Sequence, residues 1–151
     1  MRDSRFILEH RGGTLKKTDH YLLMEWACHC AEHVLYLADS GQGSLLEGTL
    51  DTGRRWTRGE ATVGEARKAA VAAHAEARRA SSEKAVAVAR AAGHAAATAH
   101  MADHAPGAAY YALRAIKSAG MVVEDERAWQ VQQLPPQIRD LVLSFGKNLR
   151  V

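Results

Sequence analysis

Alanine occupies 23 of the 50 positions from Ala66 to Ala115, and that density narrows what the chain can fold into more than any other feature. Alanine loses no side-chain entropy in a helix and is the strongest helix former. No segment alternates polar and β-branched residues with a period of two, so strands are not expected. Small side chains let helix axes approach closely, but a buried CH₂ contributes only about 0.8 kcal/mol. The larger side chains are therefore expected to supply much of the core, with Trp26, Trp56, Trp129, Tyr110, Tyr111 and the leucines as anchors. The expected architecture is all-α: a single compact, bundle-like domain of about six or seven Ala-rich helices. The chain has 151 residues, 47% apolar and 25% charged, enough to bury one core and too apolar for a disordered segment.

Local signals place the elements. Residues 1–17, broken at Gly12-Gly13, read as an irregular N-terminal arm anchored by Phe6, Ile7 and Leu8. The helical domain is expected over 18–146, with a C-terminal tail at 147–151. Leu23, Trp26, Ala27, Cys30, Val34 and Leu37 share one helical face, which predicts a first helix over 19–39, capped by Thr18 and ended by Ser40-Gly41-Gln42-Gly43. Ser44-Leu45-Leu46-Glu47 and Thr62-Val63-Gly64-Glu65 both have capping-box spacing and predict helices over 44–58 and 62–80. Ser81 or Ser82 begins a helix expected to reach His104, and Pro106 opens one that ends at Gly120. Shorter helices follow over 124–134 and from Pro135-Pro136 onward.

The net charge is +3, and the excess is local. Between Arg54 and Arg90 nine basic residues stand against four acidic ones. That balance could attract a phosphate backbone, but the basic residues are interleaved with alanine and acids, and no recognition-helix pattern appears. A nucleic-acid-binding domain using segment 54–90 stays a minor alternative. No stretch approaches the roughly 20 apolar residues of a membrane span, and the charged start Met1-Arg2-Asp3-Ser4-Arg5 lacks the apolar run of a signal peptide. Cys28 and Cys30 point to nearly opposite sides of a helix and cannot bridge each other. Reduced thiols suit the cytoplasm, which is the expected location.

No nucleophile elbow, phosphate loop or dinucleotide fingerprint occurs, so no catalytic residue is assigned, no cofactor is expected, and the chain is read as a non-enzyme. The eight histidines are the strongest rival signal. His100 and His104 stand four apart, on one helix face with Gly93 and Ala97, and His29 and His33 repeat the spacing. Two histidines at that spacing can ligate zinc, but a site needs a third protein ligand, and the glutamate of H-E-x-x-H is missing from both pairs. No metal ligand is assigned. His20, Glu65, His74, His94, His100 and His104 are expected to form either an internal polar network between close-packed helices or a hidden site. The second outcome would make this a histidine-lined metal-binding protein or enzyme.

Further residues carry a family resemblance. They run from Arg11-Gly12-Gly13-Thr14-Leu15 and Asp19-His20 through Ala31-Glu32-His33-Val34-Leu35 and Trp56-Thr57-Arg58-Gly59-Glu60. Gly64-Glu65-Ala66-Arg67-Lys68-Ala69-Ala70, His74, Gly93-His94, His100-Met101-Ala102-Asp103-His104 and Gly107-Ala108-Ala109-Tyr110-Tyr111 follow, then Trp129-Gln130, Gln133-Leu134-Pro135 and Ile138-Arg139-Asp140-Leu141. Over this length the chain resembles immunity-protein family five of the bacterial polymorphic toxin systems, an all-α family. A glycine–glutamate pair marks that family, and both Gly59-Glu60 and Gly64-Glu65 fit it. The resemblance implies a small bacterial protein that binds and neutralises a cognate toxin through its surface, without catalysis and without a membrane. Arginine and tryptophan are favoured interface anchors, so Arg54, Arg55, Trp56 and Arg58 are the expected toxin-binding residues.

Overall fold

The computed structural model describes residues 2–145 and 151. Among them the chain forms seven α-helices and no strand: α1 (Lys17–Glu32), α2 (Gly43–Thr57), α3 (Val63–Arg79), α4 (Glu83–Ala97), α5 (His104–Ser118), α6 (Val123–Gln132) and α7 (Pro136–Phe145). The expected all-α bundle is what forms. The tail expected at 147–151 lies, apart from Val151, outside the described residues.

Helix α4 organises the rest. Ten of its fifteen residues are buried, eight of them alanines, and it packs against α1, α2, α3 and α5. A helix apolar all round belongs in the interior, and alanine's small size lets four neighbours reach its backbone. The bulky part of the core lies at the α1–α2 side, where Leu23, Met24, Leu46 and Leu50 are sealed from solvent. Of the five aromatic side chains expected to anchor the core, only Trp26 is buried; Trp56, Trp129, Tyr110 and Tyr111 are half-buried. Trp26 keeps its indole N–H satisfied by donating to the Gln130 carbonyl at 2.9 Å.

Several boundaries depart from expectation. The N-terminal segment is a folded strap: short 3₁₀ turns at Ser4–Phe6 and Glu9–Arg11 flank a Leu8–Leu15 bridge. Phe6 is buried and meets Phe145 of α7 edge-on at 5.2 Å. Helix α1 starts at Lys17 after an uncapped Lys16 and ends at Glu32, well short of residue 39. A 3₁₀ turn at Leu35–Leu37 follows, and it keeps Val34 and Leu37 buried because a three-residue period matches helical spacing over one turn.

The box at Ser44 does not form. Helix α2 begins at Gly43 with Gln42 before it and no side-chain cap, so Ser44 already lies inside the first turn. The box at Thr62 does form: Thr62 Oγ1 accepts from Glu65 N at 3.0 Å, and Glu65 Oε1 accepts from Thr62 N at 3.2 Å. Ser82 caps α4 by accepting from Ala85 N.

Helix α4 stops at Ala97 instead of reaching His104. Thr98 follows its last residue, and His20 Nε2 lies 2.6 Å from the Thr98 carbonyl. A ring N–H of α1 therefore satisfies one of the carbonyls that a helix end leaves orphaned.

Candidate functional site

The histidines of α3, α4, the 98–103 turn and α5 form a continuous column. Ring centroids run 5.4 Å from His74 to His94, 5.1 Å from His94 to His104 and 5.3 Å from His104 to His100. His100 and His104 meet although they do not share a helix: His100 sits in the turn and His104 is the first residue of α5. The expected common helix face for that pair is thus replaced by a turn that folds one ring toward the other.

The backbone makes room for these rings with glycine. A Cβ at Gly93 of α4 would lie 2.7 Å from the His74 ring, and one at Gly107 of α5 would lie 2.8 Å from His94 Nδ1. A glycine inside a helix costs roughly 1 kcal/mol against alanine; in so alanine-rich a chain, each marks a place where an imidazole lies directly on a helix backbone. Arg90 Nη1 donates to His74 Nδ1 at 2.8 Å, which fixes the His74 proton on Nε2. His94 Nδ1 and His104 Nδ1 are 3.1 Å apart, one donating and the other accepting, and His94 also stacks on Tyr111 at 5.0 Å.

Burial is the main reason these rings resist a second proton, and each one's neighbours reinforce it. His94 is held down at about 4 by burial, then by the imidazoles of His104 and His74 and the guanidinium of Arg90. Burial also lowers His74, His100 and His104; Arg90 assists at His74, His104 assists at His100, and the Asp103 carboxylate opposes it at His104. At neutral pH the column is a run of neutral rings. Among the described residues, no three histidine, cysteine or acidic side chains are placed to hold a metal ion.

Two members of the expected network stand apart from it. Glu65 is exposed and occupied by its capping box. His20 is buried on α1, with its ring against Trp56 at 4.8 Å and its Nε2 on Thr98. The His29 and His33 pair also separates: His29 is exposed, while His33 lies flat on Trp129 at 3.6 Å with its Nδ1 2.6 Å from Glu126 Oε2. Sequence spacing gave no sign of that contact between the residue that ends α1 and α6. Its only trace was a lone aromatic and an acid three apart in α6.

The four residues expected at the toxin interface have mixed duties. Arg54 ties α2 to α1 through Glu32 at 2.7 Å and Glu25 at 3.6 Å. Arg55 donates to the Glu60 carbonyl at 2.9 Å, and Trp56 is half-buried against His20 and Tyr21. Arg58 is exposed, and it pairs with Glu60 at 3.2 Å. Cys28 and Cys30 are free, buried thiols; burial raises Cys28 to about 12 and puts Cys30 well above its ordinary value. Neither is a poised nucleophile.

A family model described as Imm-5 like putative immunity protein matches residues 13–137. The chain belongs to this family. The match takes in six of the seven helices and the whole histidine column of this Imm-5 like protein, and leaves out the first part of the N-terminal strap and most of α7. No curated protein and no solved structure matches the chain. Among the described residues of the Imm-5 like chain, no helix is long and apolar enough to cross a membrane. Of its two glycine–glutamate pairs, Gly59 makes the left-handed turn after α2 with φ at 73°, and Gly64 lies in the first turn of α3.

Proposed function

We propose that this Imm-5 like protein binds a cognate bacterial toxin in the cytoplasm and neutralises it by occupying its surface, without catalysis. Family membership over residues 13–137 carries the reading. The interior supports it: neutral imidazoles packed on glycine backbone, with Arg90 and Tyr111 around them, describe a rigid scaffold that leaves recognition to the outside. Just past the end of α2, Arg58 is the arginine of the expected interface set most free to reach a partner, while Arg54, Arg55 and Trp56 on α2 hold the surface that presents it.

The test is co-expression with a candidate toxin domain taken from the genes that neighbour this one, in a bacterial host that the toxin alone kills. Restored growth and co-elution of the two chains are expected, with Arg58→Ala weakening the complex at unchanged thermal stability. A host that dies as fast with the protein as without it, and no complex on gel filtration, would overturn the reading.

A further inference from the structure

One concavity is distinguished by its charge. A cavity of about 670 Å³ lies between the N-terminal strap, α1, the turn from α2 into α3, and the 98–103 turn. That volume falls in the range of small-molecule sites. Its wall carries Arg2, Arg11, Lys17 and Arg67, along with His10, His20 and His100, and no carboxylate. The formal charge of those four cations exceeds the +3 of the entire chain. Arg2 has a partner, Asp103 at 3.5 Å. Arg11, Lys17 and Arg67 have no carboxylate within ion-pair reach among the described residues.

A second observation marks the same wall. His20 Nδ1 and His100 Nδ1 are two of the three buried side-chain atoms left without a hydrogen-bond partner among the described residues. His20 is only 4% exposed. Its Nε2 donates to Thr98, so the neutral ring keeps a lone pair at Nδ1 that nothing satisfies. Buried polar groups left in this state cost stability and call for an explanation, such as a missing water, ion or ligand.

We propose that this cavity binds a phosphorylated small molecule of mononucleotide size, its phosphate held by Arg11, Lys17 and Arg67 and its ring laid against Tyr21 and Trp56. Three uncompensated cations exceed what a single carboxylate neutralises, and they match a phosphate dianion. The arginine fork suits phosphate oxygens, and lysine serves as a point charge beside it. Like charges gathered in a concave, partly apolar wall also concentrate the field that draws the anion in. Tyr21 and Trp56 meet edge to face at 5.1 Å and form an aromatic corner, which offers a heterocycle one ring face to stack on. A ring N–H or hydroxyl of the ligand would supply the donor that His20 Nδ1 lacks once the wall relaxes to admit it.

The test is isothermal titration calorimetry of the full chain with adenosine monophosphate, adenosine and inorganic phosphate at low ionic strength. No toxin is present, so the outcome is independent of the immunity reading. Adenosine monophosphate is expected to bind more tightly than either half by at least about tenfold, and to weaken as salt is raised. Lys17→Gln and Arg67→Gln, both exposed and without structural partners, should each weaken it about tenfold. Arg139→Gln, an exposed cation on α7 away from the cavity, should not. The proposal is overturned if no heat is detected, if adenosine or phosphate alone binds as well as the nucleotide, or if Arg139→Gln weakens binding as much as the wall variants. A glutamate-rich peptide that binds where the nucleotide does not would overturn it in favour of a protein partner.

Discussion

Lowering the pH from about 7.5 to about 5 should destabilise this protein through its histidine column, and His94 sets the scale. Burial, then the neighbouring imidazoles of His104 and His74 and the guanidinium of Arg90, hold His94 at about 4 in the folded chain, against about 6.5 once unfolded. The unfolded chain therefore binds a proton that the folded chain refuses, so stability is full above about pH 6.5 and falls as the pH drops toward 4. Linkage across that gap gives about 2 kcal/mol lost by pH 5 from His94 alone, and about 1 to 2 once its partial contact with water is allowed for. His20, His74, His100 and His104 are lowered too, chiefly by burial, and add in the same direction. The carboxylates held down by Arg5 and Arg54, Asp3 and Glu32, lose their contribution only at lower pH, outside this window. Urea unfolding followed by circular dichroism at both pH values, on the wild type and on His94→Gln, measures the effect. The amide does not titrate, so the variant should lose about 1 kcal/mol less than the wild type between the two conditions. Equal losses in the two proteins, or a wild type as stable at pH 5 as at 7.5, would refute the neutral-column account.

Two further perturbations probe the helix ends and the ring cradle. Thr62→Ala should cost about 1 kcal/mol, because it removes a cap that Glu65 reciprocates; Ser44→Ala should change stability by a few tenths at most, since no cap forms there. Urea midpoints of the two variants compared side by side decide whether only one capping box is real. Gly93→Ala would add helix propensity worth roughly 1 kcal/mol, yet its Cβ meets the His74 ring at 2.7 Å. The expected result is a net loss of about 1 kcal/mol, because overpacking costs more than propensity returns, with a shifted His74 ring signal by nuclear magnetic resonance; a gain in stability would mean that the ring moves aside freely.

Much of the fold could be read in advance, for identifiable reasons. Alanine density and capping chemistry are local, so helix identity, the Thr62 box, the Ser82 cap and the stop near Gly120 follow from neighbours in the chain. The Ser44 box misled because its spacing is necessary for a cap and not sufficient. Whether the helix starts there depends on the turn before it, where Gly41 is left-handed and the Gln42 side chain reaches Glu76 on α3. Pattern alone also carried α4 through to His104. The break at Thr98 depends on His20, 78 residues away.

The candidate site divides along the same line. Four of the six residues expected to gather do so, because His74, His94, His100 and His104 lie on or next to three helices that alanine brings close. Glu65 was explained from the start by its own capping box, and His20 went to a different helix end. The cavity wall was invisible in the chain order: Arg11, Lys17 and Arg67 are scattered over 57 positions and carry no motif.

By itself, then, the sequence determined an all-α chain of alanine-rich helices and a family of immunity proteins, because propensity, capping and motif are properties of adjacent residues. Tertiary structure alone decided where α4 ends, which histidines touch, that Gly93 and Gly107 exist to admit imidazoles, and that unpaired cations from the strap, α1 and α3 share one cavity. Each of these depends on distances between residues far apart in the chain, set by how closely alanine lets the helices pack.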